Sequence, residues 1–175
     1  MKKLALHSSC DQSQYRVEAS HGYVGKYFQV NFKVTASSLY TDEKFEVGSF
    51  KNWGLWEYDV VEVFLRRGKS EGDYLELQAS PYKQFFALRV IEPRKVTQEP
   101  EHLKSKISTK ITSDGFEAEF QIELDDLPGE GDLIIGNLFA CLGTPDNRNY
   151  FAINPNLETV PDFHRPDLFI ELGQK

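Results

Sequence analysis

The chain has 175 residues, of which 40% are hydrophobic and 27% are charged, a composition typical of a globular protein that folds on its own. Its formal net charge of -7 repels phosphate backbones and anionic lipid headgroups, so neither nucleic acid nor a membrane surface is expected as a partner. It also lacks a run of about 18 apolar residues, so no membrane-spanning helix is expected.

The first ten residues, MKKLALHSSC, have an apolar run of only three residues, 4–6, before His7. A secretory signal needs roughly 7 to 15 apolar residues at that point, so the run is better interpreted as a short first strand. Cys10 and Cys141 are far apart and provide neither a disulfide framework nor a metal knuckle. We therefore expect a reduced, cytoplasmic location, or a periplasmic or secreted one if a leader has been removed.

Alternation of apolar and polar residues with a period of two dominates the rest of the chain. In residues 27–35, Val30, Phe32 and Val34 share one face and polar side chains share the other, which is typical of a half-buried strand. The same alternation recurs between turn signals rich in glycine and proline. Strands are accordingly predicted at 27–35, 60–66, 73–79, 85–91, 103–111, 116–124, 133–142, 149–153 and 167–172.

This series of short strands favours an all-β fold, an antiparallel β-sandwich or barrel-like jelly roll. The polar stretch 92–103 contains two prolines and predicts a long surface loop. Neither an internal repeat nor a linker divides the sequence, so residues 1–175 are expected to form one domain.

The predicted strands 60–66, 73–79 and 85–91 are joined by short loops and should form a meander. Alternation predicts that Phe86, Leu88 and Val90 of the third strand point into the core. The opposite face of the meander then combines aromatic rings with Glu62, Glu76, Gln78 and Arg89. Such a mixture suits a sugar, which stacks its C–H faces on rings and pairs its hydroxyls with carboxylates, amides and guanidinium. The alternative is a solvated face that carries cross-strand Glu–Arg pairs.

Other functions remain open on the residues alone. Glu62 and Glu76 on adjacent strands could reach the separation of roughly 5 to 9.5 Å that a glycosidase requires, so a small glycan-processing hydrolase is one alternative. A protein-interaction sandwich without a sugar ligand is another. Asp162 and His164 could orient an imidazole for acid–base or metal chemistry, or only fix a turn. Trp56, like Trp53, could be a ligand platform or a core anchor.

Three segments resemble a known family: GLWEYDVVEVFL at 54–65, DYLELQASPYKQFFALRV at 73–90 and NYFAINPNLETVPDFHRPDLFIEL at 149–172. They are similar to the bacterial DOMON-like domains related to the family 9 carbohydrate-binding modules. The shared features are a Leu-Trp before an acidic strand, a Tyr-x-Glu strand that ends in Ser-Pro, and a closing Pro-Asp-Phe-His. The resemblance spans about residues 1–173 and implies a DOMON or immunoglobulin-like jelly-roll sandwich with a non-catalytic, carbohydrate-binding role.

In those modules two tryptophans enclose a sugar, assisted by an acid on the strand that follows the first of them. Trp56 matches the first tryptophan and Glu62 the acid, whereas Phe163 or Tyr150 would have to replace the second. The modules also carry structural calcium, but its ligands find no residue-by-residue match here, so no metal or other cofactor is expected. Haem, which some DOMON domains hold between Met and His, is not expected because the only methionine is Met1. The predicted carbohydrate ligand set is Trp56, Glu62, Glu76, Gln78, Arg89 and His164.

Overall fold

A computed structural model describes residues 2–5, 7–8, 14–69, 71–155 and 161–175. Within these residues the chain forms β-strands and short 3₁₀ turns, and no helix long and apolar enough to cross a membrane. The strands are β1 Lys2–Ala5, β2 His7–Ser8, β3 Arg16–Val24, β4 Tyr27–Thr35, β5 Val60–Arg67, β6 Tyr74–Ala79, β7 Phe85–Glu92, β8 Val96–Gln98, β9 Lys106–Thr112, β10 Gly115–Ile122, β11 Leu133–Leu142, β12 Asn149–Ala152 and β13 Ile170–Gln174.

The strands form two antiparallel sheets that pack face to face. The first sheet has the order β1-β3-β4-β10-β9, and the second has the order β2-β12-β11-β5-β6-β7-β8. β13 pairs with β11 along the edge that β12 also uses. The predicted all-β, antiparallel β-sandwich is therefore confirmed.

The core between the sheets consists of the inward side chains that alternation predicts for most strands. In β4, Phe32 lies opposite Ala19 of β3 and Ala118 of β10, so a large ring is accommodated between two small neighbours. Val63 and Leu77 face this core from the second sheet and are fully buried. Close packing of this kind is what fixes the positions of β5 and β6.

The outer face of the second sheet is also buried, which the sequence did not indicate. Loops before β5 and before β13 cover it and form a second apolar cluster around Phe64, Tyr74, Phe86 and Phe139. Acids on this face are consequently removed from water rather than solvated. This second cluster, outside the sandwich core, contains the candidate site.

Three strands were not predicted: β2, β3 and β8. β2 has only two residues, too few for an alternation signal. β3 contains Ala19, His21 and Gly22, residues that weaken an alternation signal. β8 lies inside the stretch 92–103 that was predicted as a loop, and all three of its residues are exposed. It is ordered by pairing with β7, a contact that no property of its own residues predicts.

Candidate functional site

One row of side chains crosses the outer face of the second sheet. Strand register places Phe86 of β7 beside Gln78 of β6, Gln78 beside Glu62 of β5, and Glu62 beside Phe139 of β11. Adjacent strands lie about 4.8 Å apart, so the backbones of Phe86 and Phe139 are separated by about 14 Å. The row thus has two polar residues in its middle and an aromatic ring at each end.

Residues from two loops extend these aromatic ends into walls. The indoles of Trp53 and Trp56 lie 5.7 and 5.5 Å from the ring of Phe86, measured between centroids. At the other end Phe163 stacks on Phe139 at 4.1 Å, with an angle of 11° between the rings. Together with the polar floor, the walls enclose a cleft of about 510 Å³.

Both tryptophans are accessible from the cleft. Trp56 is half-buried, and Trp53, which meets it edge to face at 5.0 Å, is 67% exposed. Neither indole is sealed in the sandwich core. Both surfaces are available for stacking against a ligand.

Arg148 holds the wall that carries Trp56. Its guanidinium donates hydrogen bonds to the carbonyl oxygens of Trp56 at 2.7 Å and Gly143 at 2.6 Å, and to that of Tyr58. The same group lies 3.6 Å from the carboxylate of Asp59, and both side chains are almost fully buried. A planar guanidinium can reach several carbonyls at once, which a lysine cannot do. Arg148 therefore acts as a positioning residue for the wall.

Asp59, one of the acids that crowd the entrance to β5, has a structural role. Its carboxylate accepts hydrogen bonds from the backbone N–H groups of Tyr40 at 2.8 Å and Gly143 at 2.6 Å. Burial raises the pKa of Asp59, while these bonds and the charge of Arg148 act to lower it. It ties the loop before β5 to the end of β11 and does not face the cleft.

The floor of the cleft is polar and buried. Glu62, Glu76 and Gln78 are 2%, 3% and 1% exposed, respectively. Gln78 donates from Nε2 to Glu76 Oε1 at 2.7 Å. Among the described residues, Glu76 Oε2 and Gln78 Oε1 have no hydrogen-bond partner. Buried acceptors without a donor are costly, which indicates that a ligand or water supplies the missing donors.

The two acids of the floor have strongly raised pKa values. Burial, and secondly the charge of Glu76, raises the pKa of Glu62 to about 8. Burial raises the pKa of Glu76 to about 7, although the hydrogen bond from Gln78 acts in the opposite direction. The Cys141 thiol is a weak hydrogen-bond donor to Glu62, with Sγ 3.8 Å from Oε1. Burial raises the pKa of that thiol as well, so Cys141 is protonated and a poor nucleophile.

His164 lies at the border of the floor. Its Nδ1 is 2.6 Å from the hydroxyl of Tyr74, and its Nε2 is 4.0 Å from Glu76 Oε2. Burial lowers the pKa of the imidazole, and the charge of Arg94 adds to this effect, so the ring is neutral at neutral pH. Asp162 does not orient the ring as the Asp-x-His spacing allowed. Its carboxylate accepts from the backbone N–H of His164 at 3.2 Å and pairs with Arg94.

The predicted position of Arg89 on the ligand-binding face is wrong, because the side chains of β7 point to the faces opposite to those predicted. Phe85 and Ala87 lie in the sandwich core, whereas Phe86, Leu88 and Val90 face the cleft. Arg89 is exposed beside the short strand β8 and pairs with Asp73 at 2.6 Å, away from the cleft. The sequence FFALRVI is apolar on both faces, so its one charged residue did not mark the outer face.

Five of the six predicted ligand residues line this cleft: Trp56, Glu62, Glu76, Gln78 and His164. The sequence did not reveal Phe86 or Arg94 as cleft residues, or Arg148 as the support of the wall. Alternation placed Phe86 in the sandwich core, whereas it faces the cleft. Arg148 acts on carbonyls about 90 residues away in the chain, and residue type alone gives no signal for that. Residues 156–160 of the closing segment lie outside the described residues.

A larger groove of about 830 Å³ lies on the outer face of the first sheet. Its charged side chains alternate in sign across four strands, because register places Glu18, Lys33, Glu117 and Lys110 side by side. Opposite charges next to one another neutralise the face. It has no aromatic walls among the residues described, so the smaller cleft is the better candidate for a site.

The described residues contain no cluster of three or more His, Cys, Asp or Glu side chains able to hold a metal ion. The calcium site that the family resemblance implies therefore finds no matching cluster of acidic side chains in this part of the chain.

The whole chain can be compared with solved structures. It superposes on a protein from Bacteroides uniformis ATCC 8492 to which carbohydrate binding has been attributed, with a TM-score of 0.77. The two sequences are 15% identical, and the superposition covers 99% of this chain and 85% of the other. It also superposes on a family 9 carbohydrate-binding module from Caldicellulosiruptor kristjanssonii. The chain has the fold of the family 9 modules.

Two structures of the family 9 module from C. kristjanssonii match. The complex with glucose gives a TM-score of 0.64 at 17% identity and covers 95% of this chain and 79% of the module. The complex with cellotriose gives 0.65 at 18% identity, with coverage of 99% and 81%. No protein-family model matches the sequence, and no curated protein matches it. The similarity to these solved structures therefore establishes the fold alone.

Proposed function

We propose that this protein binds a carbohydrate, without catalysing its conversion, in the cleft between Trp53, Trp56 and Phe163. One observation carries the proposal: buried acceptors without donors, Glu76 Oε2 and Gln78 Oε1, lie on the floor between aromatic walls. Sugars present C–H faces for stacking and hydroxyl donors for such acceptors. The structural neighbours that bind glucose and cellotriose support the same ligand class.

The geometry favours weak affinity. The cleft is open to solvent on the side of Trp53, which is 67% exposed, so a saccharide would bury only part of its surface. Dissociation constants between about 0.1 and 10 mM are expected for binding of this kind. A longer oligosaccharide should bind more tightly than a monosaccharide only if it also reaches the exposed indole.

Isothermal titration calorimetry against glucose, xylose, galactose, mannose, cellotriose and chitotriose tests the proposal. At least one sugar should bind, and Trp56→Ala should weaken that binding about tenfold, since a stacked aromatic contributes roughly 1 kcal/mol or more. Tyr82→Ala is a matched control, because Tyr82 is a half-exposed aromatic of the turn between β6 and β7, outside the cleft. Absence of binding at 10 mM of every sugar, or equal effects of the two variants, would contradict the proposal.

Hydrolysis is the second candidate, and the raised pKa values of Glu62 and Glu76 favour it. Two carboxyls with perturbed pKa values facing one cleft also occur in glycosidases. Incubation with a panel of aryl glycosides and oligosaccharides distinguishes the two functions. We expect no turnover above buffer. Turnover that Glu62→Gln and Glu76→Gln both abolish would replace binding by catalysis as the function of the cleft.

A further inference from the structure

The floor of the cleft consists of hydrogen-bond acceptors. A carboxylate can only accept, so Gln78 turns its amide nitrogen toward Glu76 and leaves its own Oε1 without a donor among the described residues. Glu76 Oε2 also has no hydrogen-bond donor among the described residues. The only polar contact of Glu62 within the described chain is a weak thiol donor at 3.8 Å. With both acids ionised, Glu62, Glu76 Oε2 and Gln78 Oε1 therefore all require a donor.

When they ionise, Glu62 and Glu76 have no Lys or Arg ion-pair partner among the described residues. Arg94 and Lys95, the Arg and Lys side chains that line the cleft, already pair with Asp162 and Glu92. Arg148 lies outside the lining and pairs with Asp59, and its charge acts on Glu62 less than burial does. His164 approaches Glu76 at 4.0 Å, but burial lowers its pKa and keeps it neutral. Glu62 and Glu76 are thus two buried acids that repel each other when both are ionised.

We propose that the saccharide bound in this cleft is an amino sugar whose ring carries a protonated primary amine, placed over Glu62 and Glu76. This inference rests on the proposed carbohydrate-binding function and names the class of sugar. An ammonium group has three donors, which match the Glu62 carboxylate, Glu76 Oε2 and Gln78 Oε1, and it supplies the missing positive charge. The sugar ring would stack between the walls, where the indole of Trp56 also attracts a cation.

Binding of an ammonium group should change the protonation of Glu62 and Glu76. A bound ammonium favours the ionised form of Glu62 and Glu76, so binding should release protons from them near neutral pH. The other ionisable groups that face the pair do not compete in this range. The Cys141 thiol and the Tyr74 hydroxyl have raised pKa values, His164 has a lowered one, and Arg148 stays charged. Affinity should rise with pH until the amine of the sugar itself deprotonates.

Calorimetric titration of the full chain with glucosamine, glucose and N-acetylglucosamine tests the inference at about pH 7. The acetyl derivative is the matched ligand control, because it keeps the ring and replaces the ammonium with a neutral amide. Glucosamine should bind about tenfold more tightly than either neutral sugar, the size expected for charge-assisted hydrogen bonds. Titration in buffers with different heats of ionisation should show protons released on binding of glucosamine.

Two isosteric variants complete the test. Glu62→Gln and Glu76→Gln should each reduce the preference for glucosamine over N-acetylglucosamine, taken as the ratio of the two dissociation constants in the same variant, to about twofold or less. Each should also abolish part of the proton release. Glu57→Gln is the control, because Glu57 is an exposed acid near Trp56 that does not line the cleft. Equal binding of glucose and glucosamine would overturn the inference and leave the proposed function standing. Absence of binding of all three sugars, together with every other sugar tested, would overturn both.

Discussion

Replacing Glu62 with Gln should remove a pH dependence from the stability of this protein. The substitution keeps the shape of a side chain that is 2% exposed and removes its charge. In the folded protein the pKa of Glu62 is raised from its ordinary value of 4.5 to about 8. A raised pKa means that the folded state holds its proton more tightly than the unfolded state. The resulting stabilisation is complete below about pH 4.5 and is lost as the pH rises toward about 8.

The magnitude follows from the linkage between protons and folding. One proton held by the folded state alone changes the free energy of unfolding by about 1.4 kcal/mol per pH unit. Between about pH 5 and about pH 7 the wild-type protein should therefore lose about 2 kcal/mol relative to Glu62→Gln. At about pH 7 the variant should accordingly be the more stable of the two.

Urea denaturation followed by circular dichroism at several pH values measures this difference. Glu57→Gln is the matched control, since Glu57 is exposed and its removal should leave the pH slope of the wild-type protein unchanged. Parallel pH slopes for the wild-type protein and Glu62→Gln would refute the reasoning. They would mean that Glu62 is hydrated and ionised in the folded protein.

Three further changes have expected outcomes. Arg148→Lys should lower the free energy of unfolding, measured by urea denaturation, by about 2 kcal/mol, because lysine cannot reach the carbonyls of Trp56, Tyr58 and Gly143 together. An unchanged denaturation midpoint would contradict this. Tyr74→Phe should lower the free energy of unfolding by about 1 kcal/mol, since it removes a hydroxyl 2.6 Å from His164 Nδ1. If that hydroxyl donates to Nδ1, its loss should raise the pKa of His164 in an NMR titration; a lower pKa would show that Nδ1 is the donor. Trp56→Ala should weaken sugar binding with an unfolding midpoint near that of the wild-type protein, whereas a large loss of stability would assign the indole to packing.

Strand positions were predictable where one face is buried and the other is polar. β4 alternates in this way and begins and ends at the predicted residues. β11 is buried on both faces, and its ends were nevertheless predicted because turns bound its apolar run. The facing of β7 was not predictable, since both of its faces are apolar and burial on two sides removes the alternation signal. The same limit explains why the sequence did not indicate that the outer face of the second sheet is buried.

The floor of the cleft was partly predictable from strand alternation, whereas Trp56 and Phe163 of its walls were indicated only by the family resemblance. Parity alone places Glu62, Glu76 and Gln78 on one face of adjacent strands. The wall above them includes Phe163, which stacks on Phe139 from a distant part of the chain, and sequence gives no measure of such a contact or of the burial that accompanies it. The unpartnered acceptors that define the site became visible only with that burial.

The position of the binding site can be measured directly from the two indole N–H resonances in NMR spectra of the labelled protein. Trp53 and Trp56 are the only tryptophans, and both line the cleft. Titration with sugars to about 10 mM should shift both indole signals and the side-chain amide of Gln78, in a saturable manner. Saturable shifts confined to the first sheet, around Asn31 and Lys33, or no shift for any sugar, would contradict the assignment of the cleft as a carbohydrate-binding site.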